Sequence, residues 1–184
     1  MRDISLHLLD IVQNSITAGA RNILIGFSLD SQGMLSMTVA DDGKGMSEEL
    51  LNRVLSPFTT SRTTRKVGLG ISLLAQNARL SGGNVEIRSR VGEGTTLEAS
   101  FNTASIDCLP LGDLPDTMAT LVMAHPDGPE FELVCKSESG SMSFSTRQLK
   151  EALQGVSLAE PEIVTWMRES MQEEIEPILG GIIQ

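Results

Sequence analysis

The chain has 184 residues, enough for one domain with a proper core or for one domain plus a smaller appendage. Of these residues 40% are hydrophobic and 21% charged, which is ordinary for a globular protein. Its formal net charge of −10 argues against nucleic acid as a partner, because neutralisation of phosphates by Lys and Arg drives that binding. The sequence contains no run of about 18 apolar residues and no signal peptide. We therefore expect a cytoplasmic protein without a membrane partner.

The negative charge is concentrated in the second part of the chain. Residues 1–104 carry ten Lys or Arg and ten Asp or Glu, whereas residues 105–184 carry four and fourteen, so that 4 − 14 = −10. We therefore predict a domain over 1–104 followed by an acidic C-terminal domain over 105–184. The acidic part either faces a basic protein or is simply a soluble surface.

Hydrophobic periodicity predicts helices and hairpins in a regular order in the first part. The predicted elements are a helix (3–18), a hairpin (22–29 and 34–40), a short helix (47–55), an aperiodic loop (56–68), a third helix (69–80) and a second hairpin (84–90 and 95–101). This order favours an α+β fold, a two-layer sandwich with helices on one face of a mixed, mostly antiparallel sheet.

The acidic part predicts a small α+β unit. Its elements are a helix (113–125), a hairpin (131–136 and 141–146) and two further helices (147–155 and 161–176). Pro161 suits the first position of the last helix, and we expect Ile163 and Trp166 to pack inward.

One face of the first predicted helix carries polar side chains. Asp3, His7, Asp10 and Asn14 follow helical spacing and therefore share a face. Asn14 offers a neutral oxygen of the kind that Mg²⁺ accepts as a ligand. Asp10, one turn earlier, either holds a water as a general base or lies in the outer shell of the metal.

Glycines next to charged residues form two further clusters. Asp41 follows the second strand in DDGKGM (41–46), where its carboxylate can accept a hydrogen bond from an exocyclic amine while the glycines let a flat base approach. Gly68 and Gly70 open the third helix, whose first N–H groups favour an anion. Arg62 and Arg65, with Lys66, precede them and can reach a terminal phosphate.

Each cluster alone has a plainer explanation. DDGKG is typical of a hairpin turn, GLG is typical of tight packing, and a lone acid on a helix is often a surface residue paired with a neighbour. A fourth cluster, GEGTT (92–96), lies in the second hairpin. The fixed order of all four favours a nucleotide site.

This ordered set resembles the GHKL superfamily of ATPases, which includes gyrase, a heat-shock chaperone, histidine kinases and mismatch-repair proteins that share the Bergerat fold. The resemblance covers about residues 1–102. DIVQNSITAGA (10–20) is most similar to the first helix of the mismatch-repair branch, and SPFTTSRTTRKVGLGISLL (56–74) to histidine kinases with a short lid. The whole chain is similar to small stand-alone bacterial ATPases associated with iron-only hydrogenase clusters.

The resemblance implies ATP as the ligand and Mg²⁺ as its metal, held by Asn14. Asp41 would read the adenine amine, with Gly45 beside the base and Thr96 helping through a water. Backbone N–H groups of 68–70 would hold the phosphates, and Lys66 with the lid threonines would cover them. The nucleotide contacts expected in full are Asn14, Asp41, Gly43, Gly45, Met46, Thr59, Thr60, Arg65, Lys66, Gly68, Leu69, Gly70 and Thr96.

The sequence departs from the family pattern at the candidate base. The family usually has Glu where this chain has Asp10, which withdraws the carboxylate by roughly 1.5 Å and at catalytic tolerances can cost about a hundredfold. The phosphoacceptor helix of histidine kinases is also absent from the sequence. The histidines of this sequence are His7 and His125. His7 is either a phosphoryl acceptor itself, a hydrogen-bond partner of Asp10, or a ring packed at the rim of the pocket.

These observations leave several functions open. The first is a kinase that passes the γ-phosphate of ATP to a Ser or His of a protein partner in trans. The second is a nucleotide-gated interaction module with slow hydrolysis. The third is an ATPase with Asp10 as its base, and the fourth a domain that no longer binds nucleotide. A homodimer is a further candidate assembly.

Overall fold

The computed structural model describes residues 2–55 and 69–182, and every structural statement below concerns those residues. The helices are α1 (Ile4–Thr17), α2 (Glu48–Leu55), α3 (Leu69–Leu80), α4 (Leu114–Ala124), α5 (Thr146–Leu153) and α6 (Pro161–Leu179), followed by a 3₁₀ turn (Gly180–Ile182). The strands are β1 (Asn22–Leu29), β2 (Met34–Asp41), β3 (Val85–Arg90), β4 (Gly94–Asn102), β5 (Glu130–Ser137) and β6 (Gly140–Ser145). The order of elements predicted from the sequence is confirmed.

All six strands belong to one sheet in the order β3-β4-β2-β1-β5-β6. Every neighbouring pair is antiparallel except β1 and β5, which run parallel. The parallel pair arises because α4 lies between β4 and β5 in the chain and returns it to the far side of β1. The mixed, mostly antiparallel sheet is therefore as the sequence predicts.

The core lies between the helices and one face of this sheet. Burial alternates along β1 and β2, where Ile23, Ile25 and Phe27 are buried with Leu35 and Met37. These side chains form one apolar cluster with the inner faces of α1, α3, α4 and α6. Along β1, β2 and β5 the sheet's other face is half-buried or exposed, in agreement with the two-layer α+β sandwich.

The acidic part of the chain joins this same sheet and core. β5 pairs with β1 along its length, and α6 packs against α4, β5 and β6. Ser5 on α1 also donates a hydrogen bond of 2.6 Å from Oγ to the carbonyl oxygen of Leu111. The division at 104 therefore stays a prediction about sequence and role, since both parts share one layer of strands.

The expected inward packing of the last helix is half correct. Ile163 packs against the core, but Trp166 is 53% exposed, so that prediction is wrong for Trp166. The buried face of α6 is formed by Met167, Met171 and Ile175, which at about 100° per residue lie on the side of the helix away from the indole. No helix among the described residues is long and apolar enough to cross a membrane.

Candidate functional site

The carboxylate of Asp41 is held at the end of β2 by two donors. The hydroxyl of Ser15 on α1 donates to Oδ2 at 2.6 Å, and the backbone N–H of Gly43 donates to Oδ1 at 2.9 Å. Ser15 is buried, whereas Asp41 remains partly accessible. Each oxygen of an ionised carboxylate has a further acceptor position, so the group can still accept a donor from a ligand.

The glycines beside Asp41 are needed for close backbone packing. A Cβ on Gly45, whose φ is +64°, would lie 1.9 Å from the carbonyl oxygen of Arg90. A Cβ on Gly94, whose φ is +106°, would lie 1.9 Å from the carbonyl oxygen of Asp41 itself. Gly43 lies against Ala18, 3.0 Å from the position of an added Cβ. The loop after β2 is thus pressed between the end of α1 and the β3–β4 hairpin.

A serine on β3 joins this loop to the second hairpin. The Oγ of Ser89 accepts the backbone N–H of Met46 at 2.8 Å and donates to the carbonyl oxygen of Gly94 at 2.9 Å. The same Oγ lies 2.8 Å from the Oγ1 of Thr95. Met46 packs at the edge of the core.

The register of β2 and β4 places Thr95 beside Asp41. The Cα partners are Asp41 with Thr95 and Ala40 with Thr96. Because cross-strand partners share a face and successive residues alternate, Thr96 lies on the face opposite Asp41. The role that the resemblance implied for Thr96 therefore fits Thr95 and not Thr96.

Asp10 and Asn14 are exposed on α1, one turn apart. The side chain of Asn14 makes no hydrogen bond to any residue that the structure describes. The Oδ2 of Asp10 lies 2.7 Å from the position that a Cβ on Gly70 would occupy, so its carboxylate rests against the first turn of α3. The first and third sequence clusters are therefore adjacent in space.

His7 joins α1 to α3 from inside the core. The ring is fully buried, and its Nε2 lies 2.8 Å from the Nδ2 of Asn77. Its Nδ1 has no hydrogen-bond partner within 2–55 and 69–182. Burial lowers the pKa of His7, which favours the neutral ring. The partner is Asn77 and not Asp10, and full burial argues against His7 as a phosphoryl acceptor.

Some of the predicted nucleotide-site residues lie close together in the structure, and others lie outside the residues that the structure describes. The fold brings Gly70 to Asp10, one turn from Asn14, and Gly43 to Asp41 and the end of α1. Gly45 and Met46 contact the β3–β4 hairpin. Leu69 begins α3, and its side chain is not described. Thr59, Thr60, Arg65, Lys66 and Gly68 lie outside the described residues. Sequence reasoning missed Ser15, although its place directly after Asn14 on α1 could have indicated it.

The described part of the site thus joins a carboxylate held at the end of β2 and a glycine loop, while the first turn of α3 packs against Asp10. The family model described as histidine kinase-, DNA gyrase B- and HSP90-like ATPase matches residues 2–105. This match covers more than half of the chain, so the protein belongs to that family, and its two-layer fold is the Bergerat fold.

Curated relatives are histidine kinases of greater length. Histidine protein kinase DivJ of Caulobacter vibrioides is 36% identical over 101 residues, which is 53% of this chain and 15% of that protein. Sporulation kinase D of Bacillus subtilis is 30% identical over 92 residues, 48% of this chain and 17% of that one. The chain thus spans less than a fifth of either relative.

A solved structure shows the same fold over a longer stretch. The crystal structure of the N-terminal domain of a DNA repair protein aligns with a TM-score of 0.52 and 13% identity. The alignment covers 79% of this chain and 52% of that one. At this identity the similarity is one of fold alone. The alignment covers more residues than the family match over 2–105, so it extends beyond residue 105.

Proposed function

We propose that the protein binds Mg·ATP at this site and passes the γ-phosphoryl group to a protein partner in trans. The observation that carries the proposal is the fixed carboxylate of Asp41, held by Ser15 and Gly43 with acceptor capacity left over. That arrangement suits the exocyclic amine of adenine, which needs an acceptor of fixed direction. Thr95, on the same face, is the hydroxyl nearest in register.

The triphosphate end of the site is formed by α1 and α3. Asn14 would supply an oxygen ligand to Mg²⁺, since its amide is exposed and bonded to no described residue. The ion would neutralise charge on the bridged phosphates. The N–H groups at the start of α3, including that of Gly70, would bind phosphate oxygens.

Transfer requires positioning more than covalent participation by the protein. An oxygen or nitrogen of the acceptor side chain bonds to the γ-phosphorus, the bond from phosphorus to the β,γ-bridging oxygen breaks, and ADP leaves. Asp10 would take the proton of a hydroxyl acceptor, and the exposure of its carboxylate beside α3 supports this role. His7 on α1 is buried in the core, and in this proposal the acceptor is a side chain of another protein.

Transfer is tested with γ-labelled ATP and extract from the source cells. We expect the wild type to label one polypeptide, Asn14→Ala to label none, and Gln13→Ala to label it normally. Gln13 is the matched control, because it is an exposed amide on the same helix, next to Asn14. Absence of any labelled polypeptide with wild type would reject the kinase proposal, while equal labelling by both variants would reject the role of Asn14.

A second candidate, a nucleotide-gated interaction module, is favoured by one chain of hydrogen bonds. Asp42 accepts the backbone N–H groups of Arg21 at 2.7 Å and Asn22 at 2.9 Å, and the side-chain amide of Asn22 at 2.7 Å. The hydrogen bond from the Asn22 side chain is the main reason that the pKa of Asp42 is lowered. Arg147 on α5 then donates to the Oδ1 of Asn22 at 2.7 Å.

This chain links the acidic part to the residue beside Asp41. If ATP gates a partner, binding of that partner should depend on nucleotide, and Arg147→Met should reduce this dependence while leaving ATP affinity within about twofold. Partner binding that is the same with ATP, ADP and no nucleotide would reject gating.

A further inference from the structure

The outward face of α6 carries the only tryptophan of the chain between glutamates. Glu162, Trp166, Glu169 and Glu173 follow the spacing i, i+4, i+7 and i+11, so they form one stripe along the helix. All four are exposed. Helical periodicity places this stripe opposite the buried face of α6. We call it the Trp166 stripe.

The indole of Trp166 forms part of a shallow groove and not of the core. The groove has a volume of about 370 Å³ and is lined by Pro161, Glu162, Thr165, Trp166 and Glu169. Exposure of 53% is unusual for the largest side chain, since tryptophan is highly buried on average. Exposed tryptophan is enriched where proteins bind one another, because it supplies a large rigid surface with a low entropy cost.

The glutamates of the stripe have no ion-pair partner among residues 2–55 and 69–182. None of the three forms an ion pair with any cation that the structure describes. The nearest cation in sequence, Arg168, points to Asp116 at 3.8 Å. Like charges on one helix face repel one another, and a cation from outside would relieve that repulsion.

We propose that the Trp166 stripe is a docking surface for an arginine-containing basic segment of a partner protein. A guanidinium stacked on the indole can donate to Glu162 on one side and Glu169 on the other, because i−4 and i+3 neighbours lie about 5–6 Å away between Cβ atoms. Arginine suits this geometry better than lysine, since its planar fork both stacks and bonds carboxylates bidentately. The net charge of −10 agrees with a cationic occupant.

This surface lies on the acidic part, in which α6 contacts α4, β5 and β6, and docking there needs no nucleotide. The inference therefore does not depend on the proposed phosphotransfer. It gives the acidic part a role of its own, the capture of a basic partner.

The test uses the full chain without nucleotide and two peptides of equal length, hexa-arginine and hexa-lysine. Because Trp166 is the only tryptophan, its fluorescence reports contact at the stripe directly. We expect a saturable change in emission with hexa-arginine, and binding about tenfold weaker with hexa-lysine. Binding should weaken as salt is raised but persist at physiological ionic strength.

A matched pair of double variants separates docking from general attraction to an acidic protein. Glu162→Gln/Glu169→Gln and Glu151→Gln/Glu174→Gln make the same change in net charge, and all four residues are exposed. We expect Glu162→Gln/Glu169→Gln to weaken hexa-arginine binding about tenfold, and Glu151→Gln/Glu174→Gln to weaken it by no more than about twofold. Equal losses in the two variants would overturn the proposal.

Calorimetry with Trp166→Ala provides a readout that does not use fluorescence. The variant should fold, since the indole is outside the core, and should bind hexa-arginine about tenfold more weakly than wild type. Unchanged affinity would contradict the proposal. So would a wild-type dimer that dissociates on Trp166→Ala with no effect of the peptides, because the stripe would then bind a second copy of the chain.

Discussion

Gly70→Ala tests whether Asp10 acts from the position in which α3 holds it. The added Cβ would lie 2.7 Å from the Oδ2 of Asp10 and 3.3 Å from its Cβ, whereas ordinary contact begins at 3.4 Å. The carboxylate must therefore withdraw by 3.4 − 2.7 = 0.7 Å. Displacement of a reacting group by about 1 Å can cost about a hundredfold in rate, so we expect turnover of ATP to fall by roughly 10- to 100-fold.

The same substitution should leave the fold nearly intact. Asp10 is exposed and can rotate away, and alanine favours a helix by up to about 1 kcal/mol over glycine. Chemical unfolding should therefore show a change in the free energy of unfolding within about 1 kcal/mol. Release of ADP, followed at saturating ATP, measures the rate.

A double-mutant cycle supplies the control for this prediction. In an Asp10→Ala background the 2.7 Å approach to Oδ2 is absent and only the 3.3 Å approach to the Cβ remains, so Gly70→Ala should lower the rate no further and should stabilise the protein slightly. Equal rates for wild type and Gly70→Ala would show that Asp10 does not act from this position. The same fall in both backgrounds would show the same, since the effect would then come from α3 alone.

Two further predictions concern the backbone and pH. Gly45→Ala should lower the free energy of unfolding by at least about 3 kcal/mol, because the added Cβ would meet the Arg90 backbone. Gly92→Ala, also at positive φ but with nothing within 4 Å, should lower it by about 1–2 kcal/mol. Urea unfolding measures both changes, and equal losses would contradict the packing of Gly45. Burial opposes ionisation of Glu130, but hydrogen bonds from Thr146 and Lys150 and the charge of Lys150 still hold its pKa below the usual 4.5. The ionised Glu130 carboxylate therefore stabilises the fold above pH 4.5, and this stabilisation is lost as pH falls through the lower folded pKa. Glu130→Gln should therefore make the free energy of unfolding fall less steeply with acid. The control is Glu132→Gln, at the exposed neighbouring position on β5, which should change this slope less.

The sequence predicts the elements of this fold because their periodicities are local. The helix over 3–18 appears as α1, and the alternating runs appear as β1 and β2 with their expected inner faces. Pairing between distant strands has no such signal. The parallel contact of β1 with β5 depends on packing of α4, which a charge boundary near 104 does not reveal.

The site residues stay predictions, and motifs that fix a residue type can be found in the sequence whereas strand register cannot. Asp10 and Asp41 lie where the motif order requires, near α3 and Ser15 respectively. Thr95 and Thr96 are both threonines, and only the pairing of Asp41 with Thr95 shows which one shares its face. The predicted burial of Trp166 is wrong because the sequence rule it uses has exceptions. A large hydrophobic residue in an amphipathic helix is normally buried, but some such residues lie on the surface.

Calorimetric titration with ATP tests the proposed hydrogen bond between Asp41 and the adenine amine. Asp41→Asn replaces one acceptor oxygen by a donor, so we expect affinity to fall by about 10- to 100-fold through loss of a charged hydrogen bond. Asp30→Asn, the same change in the turn before β2, should leave affinity unaltered, because asparagine can still accept the turn's N–H groups. Equal ATP affinity in wild type and Asp41→Asn would show that Asp41 does not bind the adenine.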